Sequence, residues 1–195
     1  MADFHISKDI LGKMEGTYAN DPNDSGGETY KGIARNAHPT WPGWAIVDAA
    51  KAAPHFPASL DKDPLVQSKV FQFYKVLFWD VSFLDQCPSQ AVANELFEQS
   101  VNIGLGVSIP NLQRVLNALN RGHDPATRLF DDLKVDGNFG QKTLDAMKIV
   151  LARTHGEEVM VNLLDSFQGV RYVDACERAL KNRKFLWGWA RQRLR

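Results

Sequence analysis

Two carboxylic acids near the start of the chain, Glu15 and Asp24, stand in contrasting sequence surroundings. Glu15 follows a run in which apolar residues recur at helical spacing, so we expect it at the last turn of a helix, beside a hydrophobic core. Burial disfavours the charged form of a carboxyl, and such a glutamate can keep its proton near neutral pH. Asp24 stands in a polar, turn-rich loop, where hydrogen bonds favour the ionised form.

A protonated acid and a carboxylate in opposed environments are the pair that hydrolysis of a glycosidic bond requires. Glu15 would donate a proton to the leaving oxygen, and Asp24 would activate water or attack the sugar. The neighbouring Gly26 and Gly27 would let the backbone bend tightly and approach a glycan. The alternative is structural: a solvated acid at a helix end, an Asx-turn aspartate and an ordinary glycine turn.

Metal chemistry fits the sequence poorly. The segment 21–32 begins like an EF-hand calcium loop, but Gly32 stands where the bidentate glutamate is required. The five histidines show no paired spacing typical of zinc sites. We therefore expect no metal and no other cofactor.

Composition places the chain among ordinary globular proteins. Its 195 residues are 44% hydrophobic and 24% charged, enough for one medium domain or two small ones. The formal net charge is zero, so no global field favours nucleic acid or an anionic surface. Cys87 and Cys176 are predicted to be buried free thiols, with a long-range disulfide as the alternative.

Helical periodicity dominates the rest of the chain and predicts a mainly α fold. Asp63-Pro64 is expected to open one helix as its N-cap and first residue. The apolar face of that helix is predicted to hold Leu65, Val70, Phe73, Tyr74, Leu77, Phe78 and Val81. Other helical segments are predicted near 88–104, 108–121, 144–151 and 159–167. The loop-rich segment 123–140 could contain a short hairpin.

A wider set of motifs resembles a known family. The acidic segment reads Glu-Gly-x-Tyr-x-Asn-Asp-Pro-x-Asp-x-Gly-Gly-x-Thr, followed by Lys-Gly-Ile. Together with residues 97–104, Leu112-Gln113, residues 135–143 and residues 185–191, it resembles glycoside hydrolase family 108, the peptidoglycan N-acetylmuramidases of phage endolysins and secretion-associated lysozymes. Two positions depart from the family pattern: Thr17 replaces a second glycine, and Glu98 replaces a more usual aspartate.

The resemblance implies a lysozyme-like helical fold with Glu15 as the essential acid. The role of Asp24 rests more on spacing: eight residues separate it from Glu15 and four separate it from Thr29, similar to the Glu…Asp…Thr constellation of phage-type lysozymes. Thr29 would help hold the attacking water. Residues 1–104 would form the catalytic region and residues 105–195 a helical peptidoglycan-binding region, packed into one compact body.

The implied substrate is the β-1,4 bond between N-acetylmuramic acid and N-acetylglucosamine. Asn102 and Gln113 could donate hydrogen bonds to the glycan, and Tyr30, Trp41 or Trp44 could stack on a sugar, although each aromatic also fits a core. Arg121, Lys134 and Lys142 are candidates for binding peptide-stem carboxylates, or else solvated surface charges.

The N-terminus lacks the pattern of a secretory signal, and no apolar run is long enough for a membrane span. The expectation is a protein made in the cytoplasm that reaches the periplasm or cell wall through a holin-like membrane protein or another non-classical route. Two rivals stay open: a non-catalytic cell-wall binder or secretion accessory on the same fold, and a helical interaction protein in which the Glu15 loop is structural.

Overall fold

The computed structural model describes residues 1–14, 16–21, 26–121 and 124–194. Within these ranges the chain forms eight α-helices and one small antiparallel sheet, which confirms the predicted mainly α fold. In chain order the elements are α1 (Phe4–Met14), β1 (Tyr18–Asn20), β2 (Glu28–Tyr30), β3 (Ile33–Ala34), α2 (Gly43–Ala50), α3 (Pro64–Tyr74), α4 (Gln90–Ile103), α5 (Leu105–Leu119), α6 (Gln141–Leu151), α7 (Gly156–Arg178) and α8 (Arg183–Arg193).

The chain divides into two compact units. One unit is Lys8–Leu77, and the other combines Met1–Ser7 with Phe78–Arg195. No helix in the described part of the chain has both the length and the apolar character needed to cross a membrane.

The unit Lys8–Leu77 contains the sheet, whose strands have the order β1-β2-β3. Tyr18 pairs with Tyr30, and Tyr30 pairs with Ile33. Lys31 and Gly32, between β2 and β3, both have positive φ, at 49° and 79°, as a two-residue type I′ hairpin requires. The hairpin therefore lies here, whereas the described residues 124–140 contain no strand. Strands of two or three residues are too short to leave an alternating pattern in the sequence.

Helix α3 begins as predicted. The Asp63 carboxylate accepts hydrogen bonds from the backbone N–H groups of Leu65 and Val66, at 2.8 and 3.2 Å, and Pro64 fills the first helical position.

The apolar face predicted beyond α3 is only partly buried. Val70, Phe73 and Tyr74 are buried, but Leu65, Leu77 and Val81 are exposed. After Tyr74 the chain passes into a π turn and then short 3₁₀ turns, so a face extrapolated at α-helical spacing slips around the axis. As a result Trp79, absent from the predicted face, is fully buried.

The second unit is built around α4, which is buried along most of its length between α5 and α7. Trp79 packs at its side against Phe4 and Phe97, with ring centroids 5.3 and 5.8 Å away. Helix α5 starts at Leu105, three residues earlier than predicted, because Gly104 separates it from α4 with a φ of 86°. Cys87 and Cys176 are free and buried, which confirms the predicted thiols.

Buried polar side chains connect α4 to the C-terminal helices. Glu98 accepts hydrogen bonds from Arg193 and, at 2.7 Å, from the Gln168 amide. The Gln168 amide also donates to the Tyr172 hydroxyl at 2.7 Å. Because Glu98 is paired with a cation, the departure from the family's aspartate leaves a satisfied ion pair rather than an isolated buried charge.

Glu95, one turn earlier on α4, lies in a different environment. It accepts a hydrogen bond from the Gln99 amide at 2.6 Å and is 4% exposed. Burial, and then the negative charge of Asp165 on α7, raise the pKa of Glu95 above its ordinary 4.5. Glu95 is therefore a neutral acid over part of the pH range in which exposed glutamates are charged.

This raised pKa gives a testable dependence of stability on pH. A carboxyl whose pKa is higher in the folded state binds its proton more tightly there, so the stability it contributes is fully present below the unfolded pKa and is lost as the pH rises through the folded pKa. Above pH 4.5 the unfolding free energy of the wild type should therefore fall as the pH rises. In Glu95→Gln this fall should be smaller, by up to about 1.4 kcal/mol per pH unit. Urea titrations at several pH values measure this slope. Glu177→Gln, an exposed acid on α7, is the control, and an unchanged slope in Glu95→Gln would contradict the assignment.

Candidate active site

Glu15 and Asp24 both lie outside the described residues. The structure describes the backbone on either side of them: α1 ends at Met14, residues 16–21 lead through β1, and residues 26–30 lead into β2. The described part of the candidate site consists of the sheet and the side chains that hold it in place.

Glu28 on β2 holds the sheet to α2 through charged groups. Its carboxylate lies 2.7 Å from Arg35 Nε and 2.8 Å from Lys51 Nζ, and it accepts a hydrogen bond from the Tyr18 hydroxyl at 2.9 Å. Asp48 on α2 binds the same two cations, with Arg35 Nη2 at 2.6 Å and Lys51 Nζ at 2.8 Å. Four charged side chains thus join β2, the end of β3 and α2.

The electrostatics of this network decide the protonation state of Glu28. Burial alone would raise its pKa, but the hydrogen bonds from Lys51 and Tyr18 and the charge of Arg35 outweigh burial and hold the pKa below 4.5. The hydrogen bond from Arg35, followed by that from Lys51, lowers the pKa of Asp48 to about 2. Both carboxyls are therefore ionised near neutral pH, and neither can act as a proton donor to a leaving oxygen.

Gly27 lies where the chain re-enters the sheet, and its backbone requires glycine. Its φ is 67°, and an added Cβ would come within 2.8 Å of the Asn36 side-chain amide. The carbonyl of the adjacent Gly26 accepts a hydrogen bond from the Asn36 backbone N–H at 3.2 Å. The glycine pair is therefore fixed against the segment that follows β3, and its approach to a glycan stays a prediction.

Thr29 lies at the centre of β2, paired with Ala19 on one side and Ala34 on the other. Its hydroxyl donates to the Gly27 carbonyl at 3.3 Å, and the residue is partly exposed. The oxygen lone pairs of this hydroxyl can still accept a hydrogen bond from water.

The structure places Tyr30 in the core. The residue is 0% exposed, its hydroxyl donates to the Leu60 carbonyl at 3.2 Å, and it accepts from the Gln67 amide at 2.8 Å. Burial raises the pKa of Tyr30 to about 12. A ring without an exposed face cannot stack on a sugar, so the predicted substrate contact of Tyr30 is corrected to a core role.

Trp41 and Trp44 are also largely buried. Trp44 donates to the His38 carbonyl at 2.8 Å and lies under the Arg35 guanidinium, 4.2 Å from the ring centroid. Trp41 donates to the Lys69 carbonyl at 3.3 Å and lines a cavity of about 280 Å³. The other lining residues are His38, Thr40, Pro42, Lys69, Gln72, Phe73, Val76 and Leu77. Of the three aromatic residues predicted to stack on a sugar, Trp41 is the one that lines this cavity.

Asn102 and Gln113, the two predicted amide ligands, lie in the other unit and already have partners in the chain. The Asn102 amide nitrogen donates to the Glu98 carboxylate at 3.3 Å and to the Tyr172 hydroxyl at 2.5 Å. The Gln113 side chain is 1% exposed, donates to the Asp136 carboxylate and accepts from the Asp136 backbone N–H. Direct contact of either residue with substrate stays a prediction, since their donor hydrogens serve the fold in this structure.

Sequence reasoning missed Glu28. A glutamate in a three-residue strand carries no periodic signal of burial, and its partners Arg35 and Lys51 lie 7 and 23 residues further on. Within the described ranges, no group of three or more histidine, cysteine, aspartate or glutamate side chains is arranged to hold a metal ion.

Comparison with known proteins identifies the class of this chain. Residues 8–104 match the family model Glycosyl hydrolase 108, and residues 107–194 match the model Predicted Peptidoglycan domain. The chain therefore belongs to glycosyl hydrolase family 108, with a peptidoglycan domain following the hydrolase region. These matches confirm the resemblance inferred from the motifs and support a glycoside hydrolase that acts on peptidoglycan.

A solved structure shows the same fold. The protein titled "Structure of Brucella abortus SagA" aligns over 96% of this chain and 95% of its own length, with a TM-score of 0.54 and 18% sequence identity. At that identity the likeness shows the fold alone. No curated protein sequence matches this chain.

The Glu28 network leads to a prediction about stability. Glu28→Gln removes the more buried of the two carboxylates that Arg35 and Lys51 share, and we expect a loss of about 1–3 kcal/mol in unfolding free energy at pH 7. Because folding lowers the pKa of Glu28, the wild-type advantage should be present above pH 4.5 and be lost as the pH falls through the lower folded value.

Chemical denaturation of both proteins between pH 3 and pH 7 measures this difference. The control is Asp61→Asn, which removes a 2.9 Å ion pair with Lys31 between partly exposed side chains and should cost at most about 1 kcal/mol. Equal stability of Glu28→Gln and wild type at pH 7 would show that the network does not hold the sheet.

Proposed function

We propose that this protein is an N-acetylmuramidase that hydrolyses the β-1,4 bond between N-acetylmuramic acid and N-acetylglucosamine in peptidoglycan. The observation that carries the proposal is the pair of family models, which together span residues 8–194 and join a glycoside hydrolase to a peptidoglycan domain. The acidic segment with Glu15, Asp24 and Thr29 falls inside the hydrolase match.

In the proposed reaction Glu15 is the general acid. Its carboxyl proton passes to the glycosidic oxygen as the bond between that oxygen and C1 of N-acetylmuramic acid breaks. Asp24 takes a proton from a water molecule whose oxygen forms the new bond to C1, and its negative charge stabilises the oxocarbenium-like transition state. Thr29 accepts a hydrogen bond from that water and orients it.

The ionised state of Glu28 supports this division of roles. Glu28 is the buried acid among the described residues of the unit Lys8–Leu77, and its lowered pKa removes it as a proton donor. A general acid needs a pKa near the working pH, which a sheltered carboxyl without a cationic partner provides. Glu28 is therefore not the proton donor, and the proposal assigns that role to Glu15 on the resemblance of its segment to the family motif.

The site determines the expected effects of substitution on activity. Glu15→Gln retains the shape of the side chain but has no proton to donate, and we expect hydrolysis to fall by about 10²–10⁴-fold or more. Asp24→Asn should cause a comparable loss, and Thr29→Val a smaller one. Release of reducing sugar from purified peptidoglycan measures the rates, and Asp21→Asn, an exposed acid of the same segment, is the matched control.

The products test the bond and the mechanism separately. Mass spectrometry should find N-acetylmuramic acid at the new reducing ends, and N-acetylglucosamine there would contradict the assigned bond. The first product should have inverted anomeric configuration if Asp24 acts as a base on water. Retention would instead make Asp24 the nucleophile, because a covalent intermediate inverts C1 twice.

The rival function is a non-catalytic cell-wall binder, for which the peptidoglycan domain is the supporting observation. Wild-type protein that sediments with peptidoglycan and releases no sugar would support that rival. A protein that neither sediments nor cleaves would support the helical interaction protein.

Peptidoglycan lies outside the cytoplasmic membrane, so the proposal places the activity in the periplasm or cell wall, after release through a holin-like membrane protein or another non-classical route. Expression in the bacterial cytoplasm should lyse cells only when a holin is expressed with it. Equally rapid lysis without a holin would remove that partner from the proposal.

A further inference from the structure

A groove of about 580 Å³ lies within the region matched by the peptidoglycan domain. It runs between the irregular segment 130–140 and α6, and we call it the Asp136 groove. Its lining includes Gln113 on α5, four aspartates and two lysines.

One wall of the groove is held in place by Gln113. The Gln113 carbonyl oxygen accepts hydrogen bonds from the backbone N–H groups of Asp136 and Gly137, both at 3.0 Å. Its amide nitrogen donates to the Asp136 carboxylate at 3.1 Å and to the Asn138 carbonyl at 3.0 Å. One buried amide thus makes four bonds to one turn, which satisfies it completely.

Two further amides, one on α5 and one at its C-cap, extend this support. Asn117 accepts from the Leu133 N–H and donates to the Leu133 carbonyl, both at 2.8 Å. Asn120 accepts from the Leu129 N–H at 2.8 Å and donates to the Phe130 carbonyl at 2.7 Å. Gln113 and Asn117 on α5 and Asn120 at its C-cap therefore fix the segment, and the side chains of the groove wall are preorganised before any ligand binds.

The groove is rich in charge of both signs. Four carboxylates line it, from Asp131, Asp132, Asp136 and Asp145, against the two ammonium groups of Lys134 and Lys142. Three of the carboxylates have partners in the chain: Asp132 accepts from Asn120, Asp136 from the Asn138 N–H, and Asp145 from Gln141. Asp131 and Lys142 make no hydrogen bond or ion pair with the described residues of the protein, and both are exposed.

This lining favours the peptide part of peptidoglycan over the glycan part. The glycan of N-acetylated sugars is neutral and is bound best by exposed aromatic faces, whereas Phe130 is the single aromatic in the lining. The peptide stem carries carboxylates, and it also carries an ammonium group wherever the side-chain amine of its diamino acid is not cross-linked. Unpaired charges of both signs match such a zwitterionic ligand, and the excess of carboxylates favours its ammonium group.

We propose that the Asp136 groove binds the peptide stem of peptidoglycan and selects stems whose side-chain amine is free. Asp131 binds the ammonium group, and Lys142, with Lys134 beside it, binds a stem carboxylate. The inference rests on the proposed function only in taking peptidoglycan as the substrate. Its consequence is a preference for wall that is not cross-linked at the diamino acid.

Calorimetric titration of the full chain with a synthetic stem tripeptide, N-acetyl-L-alanyl-γ-D-glutamyl-meso-diaminopimelate, whose terminal nitrogen is an amide as it is in the wall, tests the inference. The comparison ligand is the same tripeptide acetylated on its side-chain amine, and a chitin oligosaccharide serves as the glycan probe. We expect acetylation to weaken binding about tenfold, and we expect the oligosaccharide not to compete for the groove. Raising the salt concentration should weaken binding of the free-amine tripeptide more than binding of the acetylated one.

Substitutions locate the binding to the groove. Asp131→Asn and Lys142→Ala should each weaken binding of the free-amine tripeptide by roughly two- to fivefold, the range that exposed charge pairs give. Asp131→Asn alone should also reduce the discrimination against the acetylated tripeptide. Glu177→Gln and Lys181→Ala, exposed charges outside the groove, are the matched controls and should bind as wild type does.

Equal binding of the free and acetylated tripeptides, or tripeptide binding that survives the Asp131→Asn/Lys142→Ala double variant, would overturn the inference. The tripeptide contains no glycosidic bond, so its titration is independent of catalysis. Hydrolysis of peptidoglycan without tripeptide binding would refute the proposed ligand of the groove and leave the muramidase proposal standing. Tripeptide binding without hydrolysis would refute the muramidase proposal alone.

Discussion

Both candidate sites of this protein lie on backbone with little regular structure of its own, and polar side chains from neighbouring segments hold each of them in place. The sheet has strands of two or three residues, too short to be stable alone. Charged groups join it to α2 through Glu28, Arg35 and Lys51. The segment 130–138 has no strand at all, and two amides of α5 and the amide of its C-cap Asn120 bind its backbone. In the first case side chains anchor the small sheet to α2, and in the second side chains of α5 and its C-cap bind backbone groups that a sheet would otherwise have paired.

The same side-chain type takes opposite protonation states in the two units, and the environment decides which. Burial raises the pKa of Glu95, and the charge of Asp165 adds to that effect, whereas the hydrogen bonds from Lys51 and Tyr18 and the charge of Arg35 outweigh burial in Glu28 and lower its pKa. Burial therefore does not by itself identify a catalytic acid. The hydrogen bonds and charges around each carboxyl must be added to the effect of burial, and they are the reason that Glu28 can be set aside as a proton donor.

The family boundary and the packing boundary fall at different places. The hydrolase model ends at residue 104 and the peptidoglycan model begins at residue 107, near the boundary predicted at residue 104. The compact units instead divide between Leu77 and Phe78. Helix α4 is the reason: it belongs to the hydrolase match, but it packs against α5 and α7 of the peptidoglycan region. The resulting buried contacts of Glu98, Gln168 and Arg193 cross the family boundary.

Local chemistry could be predicted from the sequence because it depends on residues close together in the chain. The mainly α class, the cap at Asp63, the free thiols and the family motifs all rest on short-range patterns. The tertiary structure alone decided which side chains are buried and with whom they pair. Tyr30 became a core residue because β2 packs inward, and Gln113 became a support for the Asp136 turn because α5 lies beneath it. Such pairings join residues that are distant in sequence, and nothing in the spacing of one chain fixes which distant groups will meet.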